Sequence, residues 1–171
     1  RMFLQSTRFD RTPVLGRHGL VSLAALDAAH YGHGRIDWWK FAPKLQRDGW
    51  LAADDARTLA IRGWFGALIG NNDMHLGNAS LVLADTRPLA LAPSYDMLPM
   101  ALRPASTGEV VPRTLELVPP LPEQHGLWSE AARMAQDFWW RVEAHPGISI
   151  AMSRIAGEQA RKLAAAISRF G

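Results

Sequence analysis

The chain has 171 residues, 48% of them hydrophobic and 20% charged, enough to bury a real core and too apolar for a disordered or fibrous sequence. It has no cysteine, which excludes a disulfide scaffold and thiolate metal sites, and it has no run of about 18 apolar residues to span a membrane. The net charge of +3 and pI near 9.8 would suit acidic partners, but the arginines are scattered, so direct nucleic-acid binding is not expected.

In chain order, Met2 to Asp10 alternates Phe3, Gln5 and Phe9 in the manner of a strand, ended by Pro13 and Gly16. Leu20 to Ala29 carries Leu20, Leu23, Ala24 and Leu26 at helical spacing, and Gly32-His33-Gly34 breaks it. His30 and His33 at that break read as exposed groups of a helix end rather than as metal ligands. Ile36 to Gln46 reads as a short helix with Trp38, Trp39 and Phe41, interrupted at Pro43. Asp54 to Leu68 is the clearest helix, with two aspartates in its first turn and Gly70 just past its end. Two apolar runs follow, Leu81 to Ala84 and Leu89 to Ala92, split by Asp85-Thr86-Arg87-Pro88, which predicts a β-hairpin. Between Met100 and Glu123, prolines fragment the chain into a long loop with one strand around Thr114 to Val118. Trp128 to Ala144 and Ser149 to Phe170 read as two packing helices, the second capped by Ser149 and striped with Ile155, Leu163 and Ile167. The expectation is one mostly helical domain over residues 1–171.

The chemistry concentrates between Gly70 and Pro99. Asp73 and Asn78 sit on a loop just past the clearest helix, and Asp96 follows the predicted hairpin. A loop Asp, an Asn five residues on, a hairpin and a second Asp is the order of a kinase catalytic core. Phosphoryl transfer asks the protein mainly for positioning and charge neutralisation. A carboxylate and an amide oxygen suit magnesium, a hard cation that takes oxygen ligands. The hairpin would fold Asp96 back towards Asp73 and Asn78, so that they could share one ion. The same residues also read as ordinary turn formers, with Tyr95-Asp96 a capped turn and His75 a scaffold residue.

The segment from Asn71 to Ser80, N-N-D-M-H-L-G-N-A-S, followed by P-S-Y-D-M-L-P from Pro93 to Pro99, resembles the catalytic segment of the HipA-like serine/threonine kinases, the toxin half of bacterial toxin–antitoxin pairs. T-R-F-D-R, from Thr7 to Arg11, resembles that family's inter-lobe strand. The resemblance implies a mostly α, protein-kinase-like C-terminal lobe with a short N-terminal strand and a catalytic β-hairpin. It implies ATP and Mg2+ as cofactors, with Asp73 as catalytic base and Asn78 and Asp96 as metal ligands. It places His75 and Tyr95 near the nucleotide, and Thr7, Arg8 and Phe9 along the adenine. The implied partners are a protein substrate with a Ser/Thr hydroxyl, an N-terminal nucleotide-covering lobe and a DNA-binding antitoxin, with no membrane, in the cytoplasm.

The sequence also departs from that pattern. Its three lysines, Lys40, Lys44 and Lys162, lie in predicted helices, and neither a phosphate-contacting strand lysine nor a glycine-rich phosphate loop is found. Arg17 to Leu23 lacks the acidic and glutamine pattern expected after R-F-D-R, which points to a divergent branch such as the HipH type. The chain therefore reads as one lobe of a longer protein, inactive when isolated. Two alternatives stand beside the protein kinase: a non-catalytic lobe kept for docking an antitoxin, and a small-molecule phosphotransferase.

Overall fold

Five α-helices and three short strands are arranged around one helix, as described by a computed structural model over residues 5–14, 16–109 and 113–170. That central helix is α3, Ala53–Leu68, preceded by α1, Leu23–His30, and α2, Trp38–Arg47. Its Asp54 and Asp55 lie in the first turn, where the helix dipole favours negative charge. Ala56, Leu59 and Ala60 pack into a first core with Leu23, Phe41 and Leu45 of α1 and α2 and with Leu81 and Leu89 of the sheet region. Ile61, Trp64 and Leu68 pack into a second core with α4, His125–Ala144, and α5, Ile150–Phe170. Alanines 132, 135, 156 and 160 are fully buried there, and their small side chains let α4 and α5 approach closely. Trp39 stacks on Trp64 at 4.1 Å between ring centres and touches both cores.

The sheet is antiparallel, with strand order β1–β2–β3: Leu20–Ser22, Ser80–Val82 and Ala90–Leu91. β2 and β3 form the expected hairpin, with Leu81 opposite Leu91 and Val82 opposite Ala90, on strands shorter than the apolar runs. β1 is a correction to the helix expected from Leu20. Leu20 and Val21 pair with Val82 and Leu81, and Ser22 then caps α1, its Oγ accepting from the Ala25 N–H at 3.2 Å.

Other expectations are corrected as well. Gln5 to Asp10 forms no strand, and Met2 to Leu4 lie outside the described residues. Among the described residues no neighbouring strand accepts it as an edge; instead the backbone doubles back, with Arg11 bridging Arg17 and the His18 N–H donating to the Asp10 carbonyl at 3.0 Å. Pro43 does not interrupt α2, because buried Trp38, Phe41, Ala42 and Leu45 hold the helix together across the missing N–H. Thr114 to Val118 forms no strand either. Leu115 is buried against Gly70, and the Trp128 indole N–H donates to the Val118 carbonyl at 2.9 Å, so this segment is pinned to the helices rather than to a sheet. The last two helices are close to expectation, and Ser149 caps α5, its Oγ accepting from the Met152 N–H at 3.3 Å.

Candidate active site

α3 delivers the chain to the site through Gly70, whose φ of 79° lies in the left-handed region and whose absent Cβ leaves room for Leu115. Asn71 follows, buried at 7% exposure, and is the hub of the loop. Its Oδ1 accepts from the Asp73 N–H at 3.0 Å, and its Nδ2 donates to the Asp96 carbonyl at 3.3 Å. One carboxamide thus fixes the backbones of both aspartates.

Asn78 ends a short 3-10 turn, Leu76–Asn78, which His75 starts by accepting the Gly77 N–H on its Nδ1 at 3.0 Å. The Asn78 Nδ2 donates to the Asp73 carbonyl at 2.9 Å and to Asp96 Oδ2 at 3.2 Å. Both N–H bonds of that amide are used, and its Oδ1 is left for another partner. The expectation that the hairpin brings Asp96 back to Asn78 and Asp73 is therefore met in the geometry. Asp96 has φ 54°, a left-handed conformation that costs a side-chain-bearing residue about 1 kcal/mol and is best tolerated by Asn and Asp.

Two further side chains on α3 hold the approach to Asp96. Asp55 Oδ2 accepts from the Leu91 N–H at 2.9 Å, and Arg62 donates to the Ala92 carbonyl at 2.7 Å. Seven residues apart, they share one helix face and grip the end of β3. Burial lowers the pKa of Arg62, with Asp55 opposing that shift. Beyond β3, the Tyr95 hydroxyl bonds Ser80 Oγ at 2.7 Å and donates to the Gly77 carbonyl at 3.0 Å, tying the Asp96 turn to the Asn78 turn. The Phe9 ring stacks on Tyr95 with centres 6.0 Å apart, which brings the R-F-D-R segment to the same side. Thr7 and Arg8 are exposed beside it, Arg8 forming a bidentate pair with Asp10 at 2.7 and 2.6 Å.

His30 and His33 are exposed at the helix end, as expected, and His33 also bonds Asp27 Oδ1 through Nδ1 at 2.7 Å. Among the described residues no group of three or more His, Cys, Asp or Glu side chains could hold a metal. The donor set at Asn78 and Asp96, one amide oxygen and one carboxylate, fits a hard cation whose remaining ligands are phosphate and water, and does not fit zinc.

Sequence reasoning missed Asn71, Asp55, Arg62 and Ser80. Asn71 lay inside the quoted motif but read as a turn former; the other three show their roles only through partners distant in sequence.

The fold and site define a mostly helical protein with a small antiparallel sheet that presents two aspartates joined by asparagine side chains at the end of a buried helix. The chain belongs to the HipA-like C-terminal domain family, whose family model matches residues 1–170. It is 34% identical over 163 residues, 95% of its length, to "Toxin YjjJ" of Escherichia coli K12, and it spans 36% of that relative's length. Over 34 residues it is 59% identical to "Putative kinase Y4dM" of Sinorhizobium fredii, a match covering 20% of this chain and 8% of that one. Among the described residues no helix is long and apolar enough to cross a membrane.

Proposed function

We propose that this chain is the C-terminal, kinase-like catalytic lobe of a HipA-like serine/threonine protein kinase. The observation that carries the reading is the Asn78 carboxamide, which joins the Asp73 main chain to the Asp96 side chain in the order a phosphotransferase needs. Asn78 Oδ1 and the Asp96 carboxylate are the groups that would hold Mg2+. Bound there, the ion would neutralise charge on the ATP phosphates. Asp73, exposed on its loop and fixed at both its N–H and its carbonyl, is the base. The acceptor hydroxyl oxygen bonds to the γ-phosphorus, its proton passes to the Asp73 carboxylate, and the bond to the β–γ bridging oxygen breaks to release ADP.

Tyr95 and the Thr7–Phe9 segment line the nucleotide side, and His75 stands on the loop between Asp73 and Asn78. The covering lobe, with its lysine and glycine-rich loop, lies N-terminal to this one in the full-length protein. The toxin name of the Escherichia coli relative supports a toxin–antitoxin setting; a cytoplasmic location and a DNA-binding antitoxin as partner belong to the same reading. Transfer of label from γ-labelled ATP to protein by the full-length protein tests the reading. Asp73→Asn is expected to remove transfer by a factor of at least about 10² while the protein stays folded. Near-parental transfer by the folded variant overturns the assignment.

A further inference from the structure

The loop bearing Asp73 has a second face. On it lies a pocket of about 420 Å³ between residues 34–39 and residues 71–76, with Ala67 between them. Asp73 lines this pocket, whereas Asn78, Tyr95 and Asp96 do not. Its volume falls within the range of roughly 300–1,000 Å³ typical of ligand sites. Transfer in line requires the attacking and leaving oxygens to stand on opposite sides of phosphorus. With the nucleotide phosphates at Asn78 and Asp96, a hydroxyl that gives its proton to Asp73 would reach it through the pocket that Asp73 lines.

We propose that this pocket seats the acceptor segment, and that Arg35 selects a segment carrying an acidic side chain close to the Ser/Thr hydroxyl. The proposal rests on the kinase reading of Asp73 and adds the substrate class. Arg35 is exposed and forms no ion pair among the described residues. The neighbouring acid on the same wall, Asp37, is already met by Lys40 Nζ at 2.7 Å. Arg35 is therefore the guanidinium available to a carboxylate entering the pocket. Trp39 supplies an apolar wall, held rigid by its stack on Trp64.

The backbone leading to Arg35 is preorganised. Asp27, buried at 3% exposure, accepts from the His33 N–H at 3.1 Å and the Gly34 N–H at 2.8 Å, and it bonds the His33 ring. Gly32 and Gly34, with φ of 73° and 67°, allow the tight path this clamp imposes. A charge held on a fixed loop loses less freedom when it binds.

The test is phosphorylation of a Ser/Thr peptide library by the full-length protein, with Asp, Glu, Asn, Gln or Lys fixed at each flanking position, alongside its ATP hydrolysis. The readout is the ratio of acidic to neutral peptides within each variant, so a general change in activity cancels. The parent protein is expected to favour an acidic residue at one position by about tenfold or more. Arg35→Ala should bring that ratio close to one, Arg35→Lys should retain part of it, and Arg35→Glu should shift the preference to Lys. Peptide phosphorylation without an acidic preference, or a preference that survives Arg35→Ala, overturns the pocket assignment and leaves the kinase reading standing. ATP hydrolysis with no peptide phosphorylated also overturns the acidic acceptor alone. Failure of the parent protein in both assays overturns the kinase reading, and this proposal with it.

Discussion

The buried carboxamide of Asn71 donates to the main-chain carbonyl of Asp96, 25 residues further along the chain and 3.3 Å away. Through its other atom it accepts the N–H of Asp73, so the separation of the two aspartates is set by one side chain. Asn71→Ala is expected to cost about 1–3 kcal/mol of stability, because it leaves backbone groups without their partner. It should lower kcat by about tenfold or more, since small displacements of a base are costly to positioning. Urea unfolding and steady-state kinetics of the full-length variant check both effects. Parental kcat in a destabilised variant would make Asn71 a packing residue only.

Removal of the two proposed metal ligands should have unequal effects. Asp96 brings a full negative charge to a hard dication, and Asn78 brings a dipole. Asp96→Ala is expected to weaken magnesium-dependent ATP binding more than Asn78→Ala. Calorimetric titration of the full-length variants with and without Mg2+ gives the comparison. Unchanged Mg–ATP affinity in Asp96→Ala would remove Asp96 from the site.

The Asp27 clamp predicts a pH dependence of definite sign. Burial pushes the Asp27 pKa up, but bonds from the His33 ring and from the Gly34 and His33 N–H groups outweigh it and leave the pKa below its ordinary value. A depressed carboxylate pKa contributes stability that is fully present above the unfolded value, near 3.9, and is lost as pH falls through the lower folded value. Asp27→Asn is therefore expected to be less stable than the parent at neutral pH, by about 1–3 kcal/mol. The gap should narrow only below about pH 4. Denaturant melts at several pH values measure it, and a constant gap down to pH 2 would argue against an ionised clamp.

The isolated 171-residue chain is expected to melt cooperatively yet transfer no phosphate. Both cores are built from the chain's own helices, with Trp64, Trp128 and Trp139 almost wholly buried, which favours a cooperative fold. Its three lysines, Lys40, Lys44 and Lys162, lie in α2 and α5, so none is a strand lysine that would hold the phosphates, and without one positioning is lost. Circular dichroism melting beside a label-transfer assay checks this. Strong transfer by the isolated chain would relocate the nucleotide site.

The parts of the site legible in the sequence were those whose signals are local. Asp73 and Asn78 share one loop, and Asp85 to Pro88 marks the turn that returns Asp96. β1 was not legible, because Leu20 and Val21 fit helical spacing equally well and become a strand only through Val82 and Leu81, about sixty residues away. Thr114 to Val118 has strand-like composition, yet Leu115 finds its partner in the bare backbone of Gly70. Asp55 looked like a helix-dipole residue, and nothing in the sequence singled out Arg62. Their grip on β3 depends on tertiary placement, which periodicity does not encode.

Because α3 contributes side chains to both cores, neither can come apart while the helix remains in place. Amide hydrogens in the middle of α3 should therefore exchange with deuterium only through opening of the whole lobe, at a free energy matching global unfolding. The segment it feeds, from Asn71 to Asn78, should exchange by smaller openings. The boundary between the two regimes is expected at Gly70, where a slow, rigid rod gives way to the part of the chain free to adjust.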